Sequence, residues 1–129
     1  MNQKEIWKCN VCGKTLEILN PGAPTQICCG QEMQLMEEQT ADWKGEKHVP
    51  KITIDGNNVT VDVGISINMA HPMTKEHWIM WIELNCKDNC YKRKFLKPGD
   101  EPKATFVVAS TEGIWAREYC NLHGLWKSS

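Results

Sequence analysis

Apolar and polar side chains alternate one by one from Ile52 to Val63: Ile52 and Ile54 sit between polar neighbours, Asp55-Gly56-Asn57-Asn58 follows, and Val59, Val61 and Val63 resume the alternation. A period of two puts the apolar set on one face of a strand, and the Gly-Asn-containing break is a strong turn signal, so the pattern predicts a β-hairpin. Downstream, Trp78-Ile79-Met80-Trp81-Ile82-Glu83-Leu84 is an apolar run rich in β-formers. Residues 91–96 form another run that stops at Pro98-Gly99, and residues 104–109 read as a further strand. Several strands at short intervals predict a β-sandwich or barrel. No stretch of ten or more residues holds a convincing 3.6-residue period, although residues 110–119 are ambiguous, and there are no repeats or low-complexity tracts.

Residues 1–38 carry a different pattern. Their apolar runs are short, Leu16-Glu17-Ile18-Leu19 and Met33-Gln34-Leu35-Met36, and four cysteines fall among them. So small a unit needs a metal to fold. The polar stretch from Glu37 to Gly45 separates it from the β-patterned region, so two domains are expected, 1–38 and 39–129.

Composition narrows the function classes. The formal net charge is −1, from 15 Lys and Arg against 16 Asp and Glu, which leaves no basic excess for phosphates or a membrane surface. No stretch approaches the roughly 20 apolar residues of a spanning helix, and Met1-Asn2-Gln3-Lys4-Glu5 lacks the apolar core of a leader peptide. A cytoplasmic protein that binds neither nucleic acid nor membrane is expected. Seven cysteines is an odd number, and Cys-x2-Cys spacing in a reducing compartment suits metal capture better than disulfides.

The cysteines and histidines fall into two sets. Cys9-Asn10-Val11-Cys12 and the adjacent pair Cys28-Cys29 have no histidine near them. Four thiolates at about 2.3 Å form a closed tetrahedral site, suited to zinc and iron alike, for structure or one-electron transfer. Ribbon-type sites repeat a two-residue spacer, so the adjacency of Cys28 and Cys29 is expected to distort the tetrahedron. The second set is Cys120-Asn121-Leu122-His123 with His48, His71 and His77. No two histidines stand at i, i+4 spacing, which excludes a zincin-type helix. A thiolate and four imidazoles make a full first shell for one metal. Cys86 and Cys90 belong to neither set and read as ordinary thiols, and the six tryptophans read as core or interface material.

Taken together and in order, Cys9-x2-Cys12, Cys28-Cys29, Glu46-Lys47-His48-Val49-Pro50, Ala70-His71-Pro72-Met73, Lys75-Glu76-His77 and Glu118-Tyr119-Cys120-Asn121-x-His123-Gly124 resemble desulfoferrodoxin, the two-iron superoxide reductase family. The resemblance spans essentially the whole chain. It implies a mainly β protein: a small desulforedoxin-like module with a four-cysteine iron, then an immunoglobulin-like β-sandwich with the reactive iron. It implies two Fe ions per chain, one held by Cys9, Cys12, Cys28 and Cys29. The other would take His48, His71, His77 and His123 as equatorial ligands and Cys120 as the axial thiolate, with the sixth position open. Glu46 and Lys47 would be catalytic, Glu46 occupying the sixth position of oxidised iron and Lys47 raising the local positive potential. Superoxide would be the substrate, hydrogen peroxide the product, a rubredoxin-like protein the electron donor, and the assembly a homodimer.

Elementary electrostatics agrees with that chemistry. Four neutral imidazoles and one thiolate leave a ferrous ion with a site charge of about +1, attractive to a small anion, and the thiolate pushes electron density through the metal. Two other classes make contrary predictions: a zinc-stabilised protein-binding module would be colourless, and a pure electron-transfer protein would have a closed second centre that does not bind cyanide or azide.

Overall fold

The computed structural model describes residues 2–23, 25–41 and 48–128, and the chain divides into two compact units, Met1–Glu37 and Glu38–Ser129. Apart from two single-turn 3-10 segments, the regular structure among the described residues is all strand.

In the first unit, β1 (Ile6–Lys8) is the centre of a three-stranded antiparallel sheet between β2 (Thr15–Glu17) and β5 (Gln34–Met36). A second, two-stranded ribbon pairs β3 (Ile27–Cys28) with β4 (Gln31–Glu32). Of the two short apolar runs only Ile18 and Met33 are buried, alongside Ile6 and Cys9. Three aliphatic side chains and a thiol are little core for a 37-residue unit, which agrees with the expectation that a metal completes it.

The second unit has two antiparallel sheets. One runs β10 (Lys103–Val107), β7 (Asn58–Asp62), β6 (Lys51–Asp55); the other runs β12 (Gly124–Lys127), β11 (Trp115–Cys120), β8 (Ile79–Cys86), β9 (Cys90–Phe95). The hairpin expected from the alternation is β6–β7, closed by Asp55 opposite Asn58. Gly56 takes a φ of 62° at the first central position while Asn57 does not, the sign pattern of a type II′ turn. Val59, Val61 and Val63 point inward, but Ile54 on the edge strand is about half exposed. The pattern alone places Ile54 inside, yet an edge strand has no neighbour on its far side to cover it. The ambiguous segment 110–119 resolves into a turn and β11, and β12 is a strand that periodicity does not announce.

Between the sheets Val59, Val61, Val63, Ala104, Phe106 and Val108 meet Ile79, Ile82, Leu84, Ala116 and Cys120. This is a sandwich core, contributed by alternate residues of both sheets. The ladder between β11 and β8 shifts register: Tyr119 faces Trp81 and Cys120 faces Ile79, so Met80 is the extra residue of a bulge. Its carbonyl accepts the Leu96 amide at 2.9 Å. The bulge lets Ile79 and Ile82 both face the core, although three residues apart, so that Ile79 stays opposite Cys120, which faces inward by the unbroken alternation of β11. Glu118 also faces inward, opposite Ile82 and Trp126, fully buried with neither oxygen hydrogen-bonded; burial raises its carboxyl well above the ordinary range.

The other face of the four-stranded sheet is polar and nonetheless buried. Glu83 accepts from Arg117 at 2.6 and 3.0 Å, from Asn85 at 2.7 Å and from Arg93, while Arg117 also reaches Glu38 at 3.2 Å. The Arg93 guanidinium lies 4.3 Å above the Trp81 ring, and Trp81 stacks on Tyr119. Burial pushes the Glu83 carboxyl up, yet the hydrogen bonds and charge of Arg117, helped by Asn85 and Arg93, outweigh it and hold the group below its ordinary range.

A carboxyl depressed in the folded state stabilises the fold above its unfolded pKa of about 4.3 and loses that contribution as pH falls through the depressed value. Glu83→Ala, which strands two arginines, is expected to cost about 3–5 kcal/mol at neutral pH and to flatten the acid limb below about pH 4.3. Urea denaturation of wild type and variant across pH 2.5–7 checks both; an unchanged acid limb would remove Glu83 as its source.

Candidate metal centres

The first cluster is built on a knuckle just after β1. The Cys9 amide donates to the Lys14 carbonyl and the Gly13 amide to the Cys9 carbonyl, both at 2.9 Å, and the Cys12 amide points at the Cys9 sulfur at 3.5 Å. The backbone N–H groups of Cys12 and Val11 draw the Cys9 thiol down to about 6. Hydrogen bonding among the crowded sulfurs pushes Cys28 up and Cys29 up to about 12. A cation at their centre must therefore displace protons, and does so by replacing sulfur–sulfur repulsion with four bonds.

Adjacency does not hold the Cys28 and Cys29 sulfurs apart. Cys12 and Cys28 sulfurs are 3.8 Å apart and those of Cys28 and Cys29 3.9 Å. A regular tetrahedron with metal–sulfur bonds of about 2.3 Å has edges of about 3.8 Å. The distortion is taken by the backbone: Cys29 sits in the left-handed region at φ 52°, followed by Gly30 at 73°, which turns two successive side chains toward one point.

The second cluster gathers His48, His71, His77, Cys120 and His123, with one donor atom from each lying within 4.8 Å of all the others. The four rings form a square. Around its sides the centroids of His48–His71, His71–His77, His77–His123 and His123–His48 are 4.9, 4.5, 5.0 and 4.6 Å apart, each pair crossed at 69–77°. Across it His48–His77 measures 6.4 Å, close to the diagonal of such a square. Cys120 is fully buried at the end of β11, its sulfur 3.8 Å from the Nδ1 of His123. His48 and His71 are buried, His77 is half-buried and His123 exposed, so the square opens toward the surface while the thiol lies on the core side.

Each donor is fixed by its own local device. The Cys120–Gly124 pair closes the β11–β12 hairpin over residues 121–123, and that turn delivers the thiol and the His123 ring together. Asn121 ties the turn to the His77 segment: its side-chain carbonyl accepts the Trp78 amide at 2.9 Å and its NH2 donates to the Glu76 carbonyl at 3.0 Å, bracketing His77. His71 Nδ1 must donate to the Pro72 carbonyl at 2.7 Å, which puts the ring's lone pair on Nε2. The loop before it closes tightly: Gly64 has φ 86°, and a Cβ there would lie 2.1 Å from the Met69 carbonyl oxygen. Asp62 caps this loop through the Ser66 amide and hydroxyl. Trp126 serves two donors, stacking on the His48 ring at 4.8 Å and 16° while its indole N–H donates to the His123 carbonyl at 3.1 Å.

All nine metal-ligand candidates of the sequence are thus brought together in two separate groups. Glu46 and Lys47 lie outside the described residues. Asn121 and Trp126 act on the second cluster without having been singled out for it. For Trp126 the available signal was its place three residues after His123; for Asn121, its place between the two donors of the Cys-x2-His turn.

The donor sets fit two metals of different kind: a closed thiolate tetrahedron, and a nitrogen square with one soft sulfur on a single side.

Residues 40–129 match the family model described as desulfoferrodoxin, and residues 1–36 match the one described as desulfoferrodoxin, N-terminal domain. A desulfoferrodoxin homolog of Archaeoglobus fulgidus is 52% identical over 124 residues, covering 96% of this chain and 95% of that protein. A desulfoferrodoxin of Nitratidesulfovibrio vulgaris is 50% identical over 127 residues, covering 98% and 97%. Among solved structures, the superoxide reductase from Treponema pallidum is similar at a TM-score of 0.74 and 28% identity, with 97% of each chain covered.

Trp126→Ala should weaken metal retention at the histidine cluster by about 10–100-fold, with Trp126→Phe, which keeps the stacking, falling between. Gly64→Ala should loosen the same site through His71. Both should leave the four-cysteine site loaded, and competition with a chelator, read separately for the two metals, checks this. Equal losses at both clusters would mean general destabilisation instead.

Proposed function

The chain belongs to the desulfoferrodoxin family, and from that premise we propose that it is a superoxide reductase, adding one electron and two protons to superoxide to give hydrogen peroxide. The observation that carries the reading is the square of four imidazoles with the buried Cys120 thiol on its core side. When bound there, iron supplies the electron and an exchangeable coordination position. His48, His71, His77 and His123 would hold it as neutral ligands, and the Cys120 thiolate would make it a better electron donor toward substrate.

The protein's own part in the reaction is positioning and charge. Neutral imidazoles keep the site cationic overall, which attracts a small anion. Lys47, one residue before His48, would add positive potential where substrate enters, and Glu46 beside it would supply a carboxylate ligand to the oxidised iron. The exposed edge at His123 gives water access, and water brings the two protons. Cys9, Cys12, Cys28 and Cys29 hold a second iron, whose closed thiolate shell suits one-electron exchange and no substrate. A rubredoxin-like protein returns the electron, two chains associate as a homodimer, and the protein works in the cytoplasm. No helix among the described residues is long and apolar enough to cross a membrane.

Purified protein is expected to hold two irons per chain and, when reduced, to consume a superoxide pulse without evolving dioxygen. A protein with zinc in both sites, or one that loses superoxide only by dismutation, would overturn the reading. Cys120→Ser should remove the thiolate-to-iron charge-transfer band together with most activity. Lys47→Met should lower the second-order rate with superoxide and flatten its dependence on ionic strength, because charge steering acts on association. An unchanged rate and salt slope would exclude Lys47 from substrate capture.

A further inference from the structure

Cys86 and Cys90 belong to neither metal cluster, and neither is disulfide-bonded. The β8–β9 ladder runs in register from Trp81–Phe95 to its last pair, which is Cys86 opposite Cys90. Directly opposed residues of an antiparallel pair have Cα atoms about 4.5–5.5 Å apart, inside the roughly 4.4–6.8 Å window of a disulfide. The two thiols can therefore be joined with little movement of the backbone.

The turn between them is set by its own residues. Lys87, Asp88 and Asn89 are all exposed, and Asp88 and Asn89 take left-handed φ values of 67° and 60°, which Asp and Asn tolerate better than most side chains. Lys87 is anchored to Glu112 at 3.3 Å. Cys90 is exposed and Cys86 half-buried, so a small oxidant reaches one sulfur first and finds the second across the ladder. The pair lies at the far end of β8 from Ile79 and Cys120, roughly 23 Å along the strand at about 3.3 Å per residue.

We infer that Cys86 and Cys90 form a peroxide-oxidisable dithiol, a modification site separate from both metal centres. The Cys90 thiolate attacks one oxygen of hydrogen peroxide and the O–O bond breaks. Hydroxide leaves and is protonated to water, and Cys90 becomes a sulfenic acid. The Cys86 thiol then attacks the Cys90 sulfur, the S–O bond breaks, a second water leaves and the disulfide forms. In sum two thiols lose two electrons and two protons, and one peroxide becomes two waters; a dithiol reductant reverses the disulfide. That the protein generates the peroxide itself rests on the superoxide-reducing reading, whereas the dithiol chemistry does not.

The test uses the full iron-loaded chain. Hydrogen peroxide is added in stoichiometric amount without oxygen, thiols are blocked with iodoacetamide, and the denatured protein is cut with trypsin without reduction. Cleavage after Lys75, Lys87 and Lys92 puts Cys86 on the 76–87 peptide and Cys90 on the 88–92 peptide. The expected product is these two peptides joined by a disulfide, lighter by two hydrogens than the thiol pair and separated by dithiothreitol. In Cys86→Ser, Cys90 should instead accumulate a dimedone-reactive sulfenic acid, and in both single variants the joined pair should vanish. Recovery of both peptides singly alkylated, or of disulfides between copies alone, would overturn the proposal. Superoxide consumption measured on the same preparations keeps the two readings apart. Normal consumption with unlinked peptides defeats the dithiol alone, while linked peptides without consumption defeat the reductase reading alone. The double variant Cys86→Ser, Cys90→Ser should consume superoxide at the wild-type rate.

Discussion

Five donor atoms from four stretches of chain are held within 4.8 Å of one another, and lone pairs aimed at one point repel until a cation sits among them. No donor can supply the free energy for that arrangement by itself, so it must come from elsewhere. In the second unit it comes from the sandwich, whose valines, isoleucines and Phe106 are packed independently of any ligand. The site is then assembled at strand ends and the loops beside them, where backbone direction is fixed by the sheets and side chains are released from the core. Asn121, Pro72 and Trp126 do the remaining alignment through a few hydrogen bonds and one stacked ring. Preorganisation of this kind lets a metal bind without reordering the chain, and keeps the shell from adapting to a metal that prefers another geometry.

The first unit meets the same problem without that resource. Its core is a few aliphatic side chains and the Cys9 thiol itself, so ligand and core overlap. Folding and metal capture there are one equilibrium, as in other small thiolate modules, and the left-handed Cys29 is a backbone cost accepted to bring adjacent sulfurs onto one tetrahedron. One chain thus carries two contrasting relations between metal and fold: a scaffold that shapes its centre, and a centre that makes its scaffold.

Much of this was legible in the sequence, for reasons that differ by element. The β6–β7 hairpin was readable because both signals are local, a period of two and a turn with glycine where positive φ is required. The ligand sets were readable from motif order, since Cys-x2-Cys and Cys-x2-His carry their geometry in their spacing. What stayed hidden depends on contacts between distant residues. Glu83, Asn85 and Arg117 are polar in hydropathy and buried in fact because they neutralise one another, so β11 lost its pattern and residues 110–119 looked ambiguous. β12 is four residues long, too short for periodicity to register. Ile54 was placed inside by alternation alone, because a period says nothing about which strand ends up at the edge.

Met80 gives the four-stranded sheet a property that no regular ladder has. On one side of the bulge β8 turns Trp81 and Glu83 to the polar face; on the other it restarts, one step out of phase, with Ile79 turned inward, while β11 runs through unbroken with Ala116, Glu118 and Cys120 inward and Arg117 outward. The extra residue works like a clutch between two lengths of the same strand, and each length keeps its own phase. A lineage could therefore redraw the β8 share of the outer face, or reshape the β8–β9 hairpin, without turning Ile79 away from the thiol it faces across the ladder. In the same way, the metal end could drift while the charged face stayed in step. One inserted residue makes two halves of a strand separately heritable.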